Sequence, residues 1–199
     1  MRKNQKSAKK PVKWAFVGSC AKASRQNVQW TFWSERDIKS MIKILFICHG
    51  NICRSTMAQS VFSYLIEQSG LEDKFLIDSA ATSREEIGNP PHYGTERKLA
   101  EEGIPLIPHW AVQMTRQDYL EYDYLIGMDQ ANIRNMERIA GGDPQDKMYK
   151  ILEFAEKERD VADPWYTGDF EATFRDVMEG CCGLLRYIIR EREIDKREY

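Results

Sequence analysis

The sequence predicts an α/β fold built on parallel strands, and three observations carry that reading. Short apolar runs rich in β-branched and aromatic residues recur at residues 42–47, 75–79, 122–127 and 148–152. Between them lie segments with helical spacing or helix-start signals. The chain has 199 residues, 42% of them hydrophobic, which suffices for one domain with a full core. Strands alternating with helices imply right-handed parallel connections, and such folds bind ligands at the carboxyl ends of their strands.

Each element has its own signal. Residues 42–47 form a continuous apolar run, as a parallel strand buried on both faces requires. Residues 55–68 carry Met57, Ala58, Val61, Phe62, Leu65 and Ile66 at helical spacing and stop near Gly70. The run Phe75 to Ser79 is the second strand. Residues 81–91 read as a loop, with Gly88 and Pro90-Pro91 as breakers. A helix over 93–102 ends at Gly103, and Thr115-x-x-Asp118 opens a short helix by a capping pattern. Residues 122–127 are the third strand, and Asp129 caps a helix that Gly141-Gly142 ends. Residues 148–152 are the fourth strand and 163–166 a loop. Phe170, Phe174, Val177, Met178, Cys181, Leu185 and Ile188 mark a long last helix, with charged residues from Arg190 onward.

The stretch that organises the chain is the junction of the first strand and first helix, Cys48-His49-Gly50-Asn51-Ile52-Cys53-Arg54-Ser55. Backbone N–H groups at a helix start are unpaired and make an anion site. Electropositive surroundings of that kind favour a nucleophilic thiolate, here Cys48. A guanidinium, here Arg54, can hold two oxygens of a tetrahedral oxyanion at once. Cradle, nucleophile and clamp together make a site for cleaving phosphate esters. A bare Cys-x5-Arg would be weak; the full string on a strand–loop–helix junction is specific.

At these residues the chain resembles the low-molecular-weight protein tyrosine phosphatases, whose loop reads Cys-x-Gly-Asn-x-Cys-Arg-Ser. The resemblance covers roughly residues 42–190. It implies a four-stranded parallel sheet with helices on both faces and the phosphate-binding loop after strand 1. It implies that Cys48 forms a phosphocysteine and that Arg54 holds the phosphoryl group. By the same resemblance, His49, Gly50, Asn51, Ile52, Cys53 and Ser55 are expected to bind phosphate and shape the loop. Ser55 is expected to hydrogen-bond the Cys48 sulfur, and Asn51 to take a left-handed backbone, which asparagine tolerates. Ser79 and His109 fall where the family has partners for that asparagine. Asp163-Pro164-Trp165-Tyr166 matches the family's acid segment, so Asp163 is the expected general acid, with Trp165 and Tyr166 lining the cleft. One departure concerns the loop after the second strand. Thr82-Ser83-Arg84-Glu85-Glu86 has no aromatic residue, and Glu85 near the mouth would repel acidic peptides.

The expected substrate is a phosphotyrosine-containing protein or a small phosphate monoester, and no cofactor or metal is expected. Two rival readings are an arsenate reductase of related fold and a non-catalytic phosphate-binding module. A reductase needs further cysteines to pass a disulfide along, and none lies between Cys53 and Cys181. A binding module would be expected to lack the nucleophile or the acid. Cys53, five residues after Cys48, could form a reversible disulfide with it under peroxide. Five cysteines without CxxC or Cys/His metal spacing favour a reducing, cytoplasmic setting. No apolar run is long enough to span a bilayer, and no membrane partner is expected.

Formal net charge is −2, and it is unevenly spread. Residues 1–40 hold ten Lys/Arg and two Asp/Glu, a net of +8, which leaves −10 for residues 41–199. An acidic domain argues against a nucleic-acid partner. Residues 1–40 are expected to be a basic extension, disordered or not native, and Met41 a possible translation start. Trp14 to Val17 is too short for a secretory core. Residues 41–199 are expected to form the phosphatase domain.

Overall fold

A computed structural model of the chain describes residues 41–194. The expected extension over residues 1–40 lies outside the described residues. Strand β1 (Ile42–Cys48) runs into helix α1 (Arg54–Gln68). Then come β2 (Phe75–Ala81), α2 (Tyr93–Glu101), α3 (Arg116–Glu121), β3 (Tyr124–Gly127), α4 (Gln130–Ala140) and β4 (Met148–Lys150). A one-turn helix α5 (Pro164–Thr167) and the long α6 (Phe170–Glu191) complete the order.

The four strands form one sheet in the order β2-β1-β3-β4, every pair parallel. The strand period sorts β1 onto two cores. Ile44, Phe46 and Cys48 join the core beneath α1 and α6, with Met57, Phe62, Val177, Cys181 and Ile188. Leu45 and Ile47 join the opposite core, with Tyr119 of α3 and Met136 and Ala140 of α4. Helices therefore cover both faces, as expected. Phe62 is fully buried between Phe46 and Phe75, and burying such a side chain contributes about 1.5–3 kcal/mol.

β2 runs two residues beyond the sequence reading, to Ala81, and three other differences have a local cause. β3 begins at Tyr124, because Tyr122 ends α3 and Asp123 turns its carboxylate back to the Lys43 N–H at 2.8 Å. β4 stops at Lys150, and residues 151–155 wind into a 3₁₀ turn. That turn lies against α6, where a Cβ on Gly183 would sit 2.1 Å from the Phe154 carbonyl oxygen. Residues 163–166 are not a loop: Asp163 caps α5 with Pro164 at its first position, where a missing N–H costs nothing.

Candidate active site

Cys48 ends β1, residues 49–53 form the loop, and Arg54 opens α1. The loop is braced from outside its own sequence. Thr82 and Ser83 N–H donate to the Cys48 and His49 carbonyls at 2.8 and 3.0 Å, and His92 N–H donates to the Ile52 carbonyl at 2.7 Å. Asn51 takes the left-handed backbone with φ 59° and is wholly buried.

The Asn51 side chain sets the direction of a hydrogen-bond chain that ends on sulfur. Its Oδ1 accepts from Val112 N–H at 3.1 Å, a group that can only donate, so the amide orientation is fixed. The same oxygen accepts from His109 Nε2–H at 2.7 Å. Its Nδ2 then donates to Ser55 Oγ at 3.0 Å and Ser79 Oγ at 2.9 Å. Ser79 passes its own proton to Gln59 Oε1 at 2.7 Å. Ser55 Oγ lies 3.0 Å from Cys48 Sγ, and towards a thiolate its hydroxyl is the donor. Asn51 N–H also donates to Cys48 Sγ, at 3.2 Å. Burial holds the pKa of His109 below its ordinary value, against the pull of Asp78 3.9 Å from Nδ1.

Arg54 is 3% exposed and caught between two carboxylates. Nη1 donates to Asp129 Oδ2 at 2.6 Å and to the Val161 carbonyl at 3.2 Å, while Nη2 donates to Asp163 Oδ2 at 2.5 Å. Burial works against the charge, but Cys48, Asp163 and Asp129 outweigh it and hold the guanidinium pKa above its ordinary value. Cys53 is pushed up to about 12, first by burial and then by Cys48 and Asp163. It is a thiol packed under the loop, and both Cys48 and Cys53 are free.

A cavity of about 100 Å³ opens above Cys48. The loop residues His49, Gly50, Ile52, Cys53 and Arg54 form its base, with Glu85 and Glu86 on one wall and Asp163, Trp165 and Tyr166 on the other. His49 Nε2 lies 2.9 Å from the Glu85 carboxylate at the rim. The wall that lacks an aromatic residue is thus acidic. The arrangement can cradle a tetrahedral oxyanion, present sulfur to its centre and offer a carboxyl group from above.

A family model described as low molecular weight phosphotyrosine protein phosphatase matches residues 43–196. The chain belongs to that family. Among its relatives is the low molecular weight protein-tyrosine-phosphatase YfkJ of Bacillus subtilis, 41% identical over 156 residues, covering 77% of this chain and all of the relative. PtpA of Staphylococcus epidermidis is 36% identical over 158 residues, covering 79% of this chain and all of that protein. The crystal structure of YfkJ superposes with a TM-score of 0.75, covering 77% of this chain and 98% of that one. The chain is therefore a hydrolase of the protein tyrosine phosphatase class with a phosphoprotein substrate. No helix among the described residues is long and apolar enough to cross a membrane.

The structure brings together Cys48, Arg54, Asp163, Ser55, Asn51, Ser79 and His109, and sets Trp165 and Tyr166 at the cleft, 59% and 82% exposed. Asp129 was missing from the sequence reading of this phosphatase site. Its Oδ1 accepts from Asn132 N–H at 2.6 Å, so it caps α4 as expected, while Oδ2 holds Arg54. Its place at the carboxyl end of β3 was the available signal. Gln59 lies inside α1 and carried no signal. Cys181 is fully buried against the Ala58 carbonyl, a poor position for a disulfide relay of the arsenate-reductase kind.

Proposed function

We propose that this phosphatase hydrolyses protein phosphotyrosine through a phosphocysteine on Cys48, with Arg54 as clamp and Asp163 as general acid and base. The observation that carries this reading is the position of Asp163 at the cavity wall, 2.5 Å from the guanidinium beneath it. An incoming phosphoryl group takes the place of Asp163 on Arg54 Nη2. Next to a dianion a carboxyl group favours its protonated form. The Cys48 sulfur attacks phosphorus, the ester P–O bond breaks, and the leaving oxygen takes the proton of Asp163. Water then attacks phosphorus, Asp163 takes a proton from it, and the S–P bond breaks. The departing sulfur is received by the Ser55 hydroxyl and the Asn51 N–H. Buried thiols and the cysteine pattern support a reducing, cytoplasmic setting, and the match over residues 43–196 supports a domain over 41–199.

A positioned acid contributes about 10²–10⁴-fold. A nitrophenolate leaves without much help, whereas a tyrosine phenolate needs the proton. In single-turnover phosphorylation of Cys48, Asp163→Asn is expected to slow phosphotyrosine far more than p-nitrophenyl phosphate. Cys48→Ser should abolish turnover on both. Equal losses on both substrates in Asp163→Asn would remove Asp163 from the role of acid.

A further inference from the structure

Beside the active-site cavity lies a second one, of about 270 Å³, between the start of α2 and the α5 turn. Its walls are His92, Tyr93, Pro164, Trp165 and Phe170, with Arg97 at one side. Trp165 lines both cavities. We propose that this cavity is a subsite for the substrate polypeptide, taking an aromatic side chain close in sequence to the phosphorylated residue. The proposal rests on the phosphatase reading of the neighbouring site and extends it to the residues around the phosphate.

Four observations select this occupant. The hollow adjoins the cleft, since Trp165 lines both, so a chain with its phosphate over Cys48 has the hollow within reach of its neighbouring residues. Its size falls just short of the roughly 300–1,000 Å³ of small-molecule sites, which suits a single side chain. Its walls are rings: Tyr93 is 70% exposed and Trp165 59% exposed, so two large aromatic surfaces stand open to solvent beside a concavity. The one charge among its lining residues, Arg97, is drawn towards Glu101 one turn further along α2, with Nε 3.6 Å from that carboxylate, and a solvent-exposed pair leaves the ring walls as the main attraction. An apolar occupant is therefore favoured over an acidic one.

The subsite is also built rigidly and tied to the chemistry. The His92 ring stacks on Phe170 at 5.2 Å with an interplanar angle of 6°, and meets Trp165 edge-on at 6.0 Å. That stack depends on Gly94, where a Cβ would lie 2.4 Å from the Phe170 ring. His92 Nδ1 accepts from Gly94 N–H at 3.1 Å, which fixes the ring, and the His92 backbone N–H donates to the Ile52 carbonyl of the active-site loop. On the other side, Trp165 N–H donates to the Asp163 carboxylate at 3.1 Å. A side chain seated here contacts elements bonded directly to the loop and to the acid. Walls held in place before binding lose little freedom when the ligand arrives.

The test is a positional scan of phosphotyrosine peptides in which Phe or Ala stands at each of the two residues on either side. At one position the wild-type enzyme should prefer Phe over Ala by about tenfold in kcat/KM, the effect of partly burying one ring. In Tyr93→Ala that Phe/Ala ratio should fall towards one, and Tyr93→Phe should restore it. The ratio within one variant is insensitive to loss of folded protein or to damage at Cys48. No preference at any position, a preference unchanged in Tyr93→Ala, or equal slowing of both peptides would overturn the subsite. Wild-type turnover of p-nitrophenyl phosphate checks the underlying reading separately. Its absence would refute the phosphatase assignment and the subsite with it.

Discussion

Replacing Asn51 separates two things the buried side chain does. Its left-handed backbone costs an alanine about 1–2 kcal/mol. Its amide serves four partners, and they are not equally dependent on it. Ser55 and Ser79 keep their bonds to Cys48 and Gln59. The part-buried Val112 N–H and His109 Nε2–H lose their main acceptor, and a donor left unpaired away from water costs about 1–3 kcal/mol. Asn51→Ala should therefore lose about 3–8 kcal/mol, roughly 6–30 °C in melting temperature for a domain of this size. Asn51→Gly escapes the steric cost but gains about 0.4–1 kcal/mol of unfolded-state freedom, so it should remain about 0.5–1 kcal/mol above Asn51→Ala. The assay is urea unfolding of the two variants and wild type, with Cys48 phosphorylation followed by rapid mixing. Both variants should slow dephosphorylation of the phosphocysteine, because Ser55 loses the partner that aims its hydroxyl at sulfur. Loss below 1 kcal/mol in Asn51→Ala, with no gap to Asn51→Gly, would refute the account.

Two further outcomes follow from burial and composition. His109 is pushed below its ordinary value of 6.5, so the unfolded chain binds the proton first as pH falls. Its contribution is fully present above that value and is lost below it, and wild type should lose more stability between pH 6.5 and 5 than His109→Gln in urea titrations. A chain beginning at Met41 should keep the melting temperature and activity of the full chain, since the family match begins at residue 43; loss of folding would show that residues 1–40 pack on the domain.

What could be read from the sequence was whatever lies close together in it. Cys48 to Ser55 is one unbroken string that holds nucleophile, cradle and clamp. Asp163-Pro164 is a pair whose turn signal gained meaning only beside that string. Parallel pairing followed from the alternation of strands and helices, and the two-sided burial of β1 from its continuous apolar run, whereas the order β2-β1-β3-β4 came only with the structure. Asp129 was not legible as a site residue because its helix-cap role accounted for it completely; only tertiary structure shows that its second oxygen faces Arg54. His92 was silent for a similar reason. It opens α2, and its tie to Ile52 spans forty residues of sequence. The α5 turn was hidden because Pro164 signals both a loop and a helix start, and only the Asp163 carboxylate on Trp165 N–H decides between them.

The two carboxylates on Arg54 are not equivalent, and the difference assigns them opposite roles. A phosphoryl dianion cannot enter beside one guanidinium and two carboxylates unless one of them gives way. Asp129 is held by Asn132 N–H at 2.6 Å at the start of the eleven-residue α4, whose helix dipole favours a carboxylate there. Asp163 is held by Trp165 N–H at 3.1 Å on a helix of four residues. On the mechanism proposed above, Asp163 is the one that yields, moving to where the leaving oxygen lies. Removing its charge should therefore help the anion bind while harming the chemistry. Charge-assisted hydrogen bonds are worth about 1.5–3 kcal/mol, and part of that is recovered on the ligand. Asp163→Asn should bind inorganic phosphate about 3- to 10-fold tighter than wild type, measured by calorimetry. Asp129→Asn should bind it more weakly, because Arg54 loses the partner that keeps it aimed at the loop. Tighter binding in Asp129→Asn with weaker binding in Asp163→Asn would reverse the assignment and make Asp129 the residue that moves.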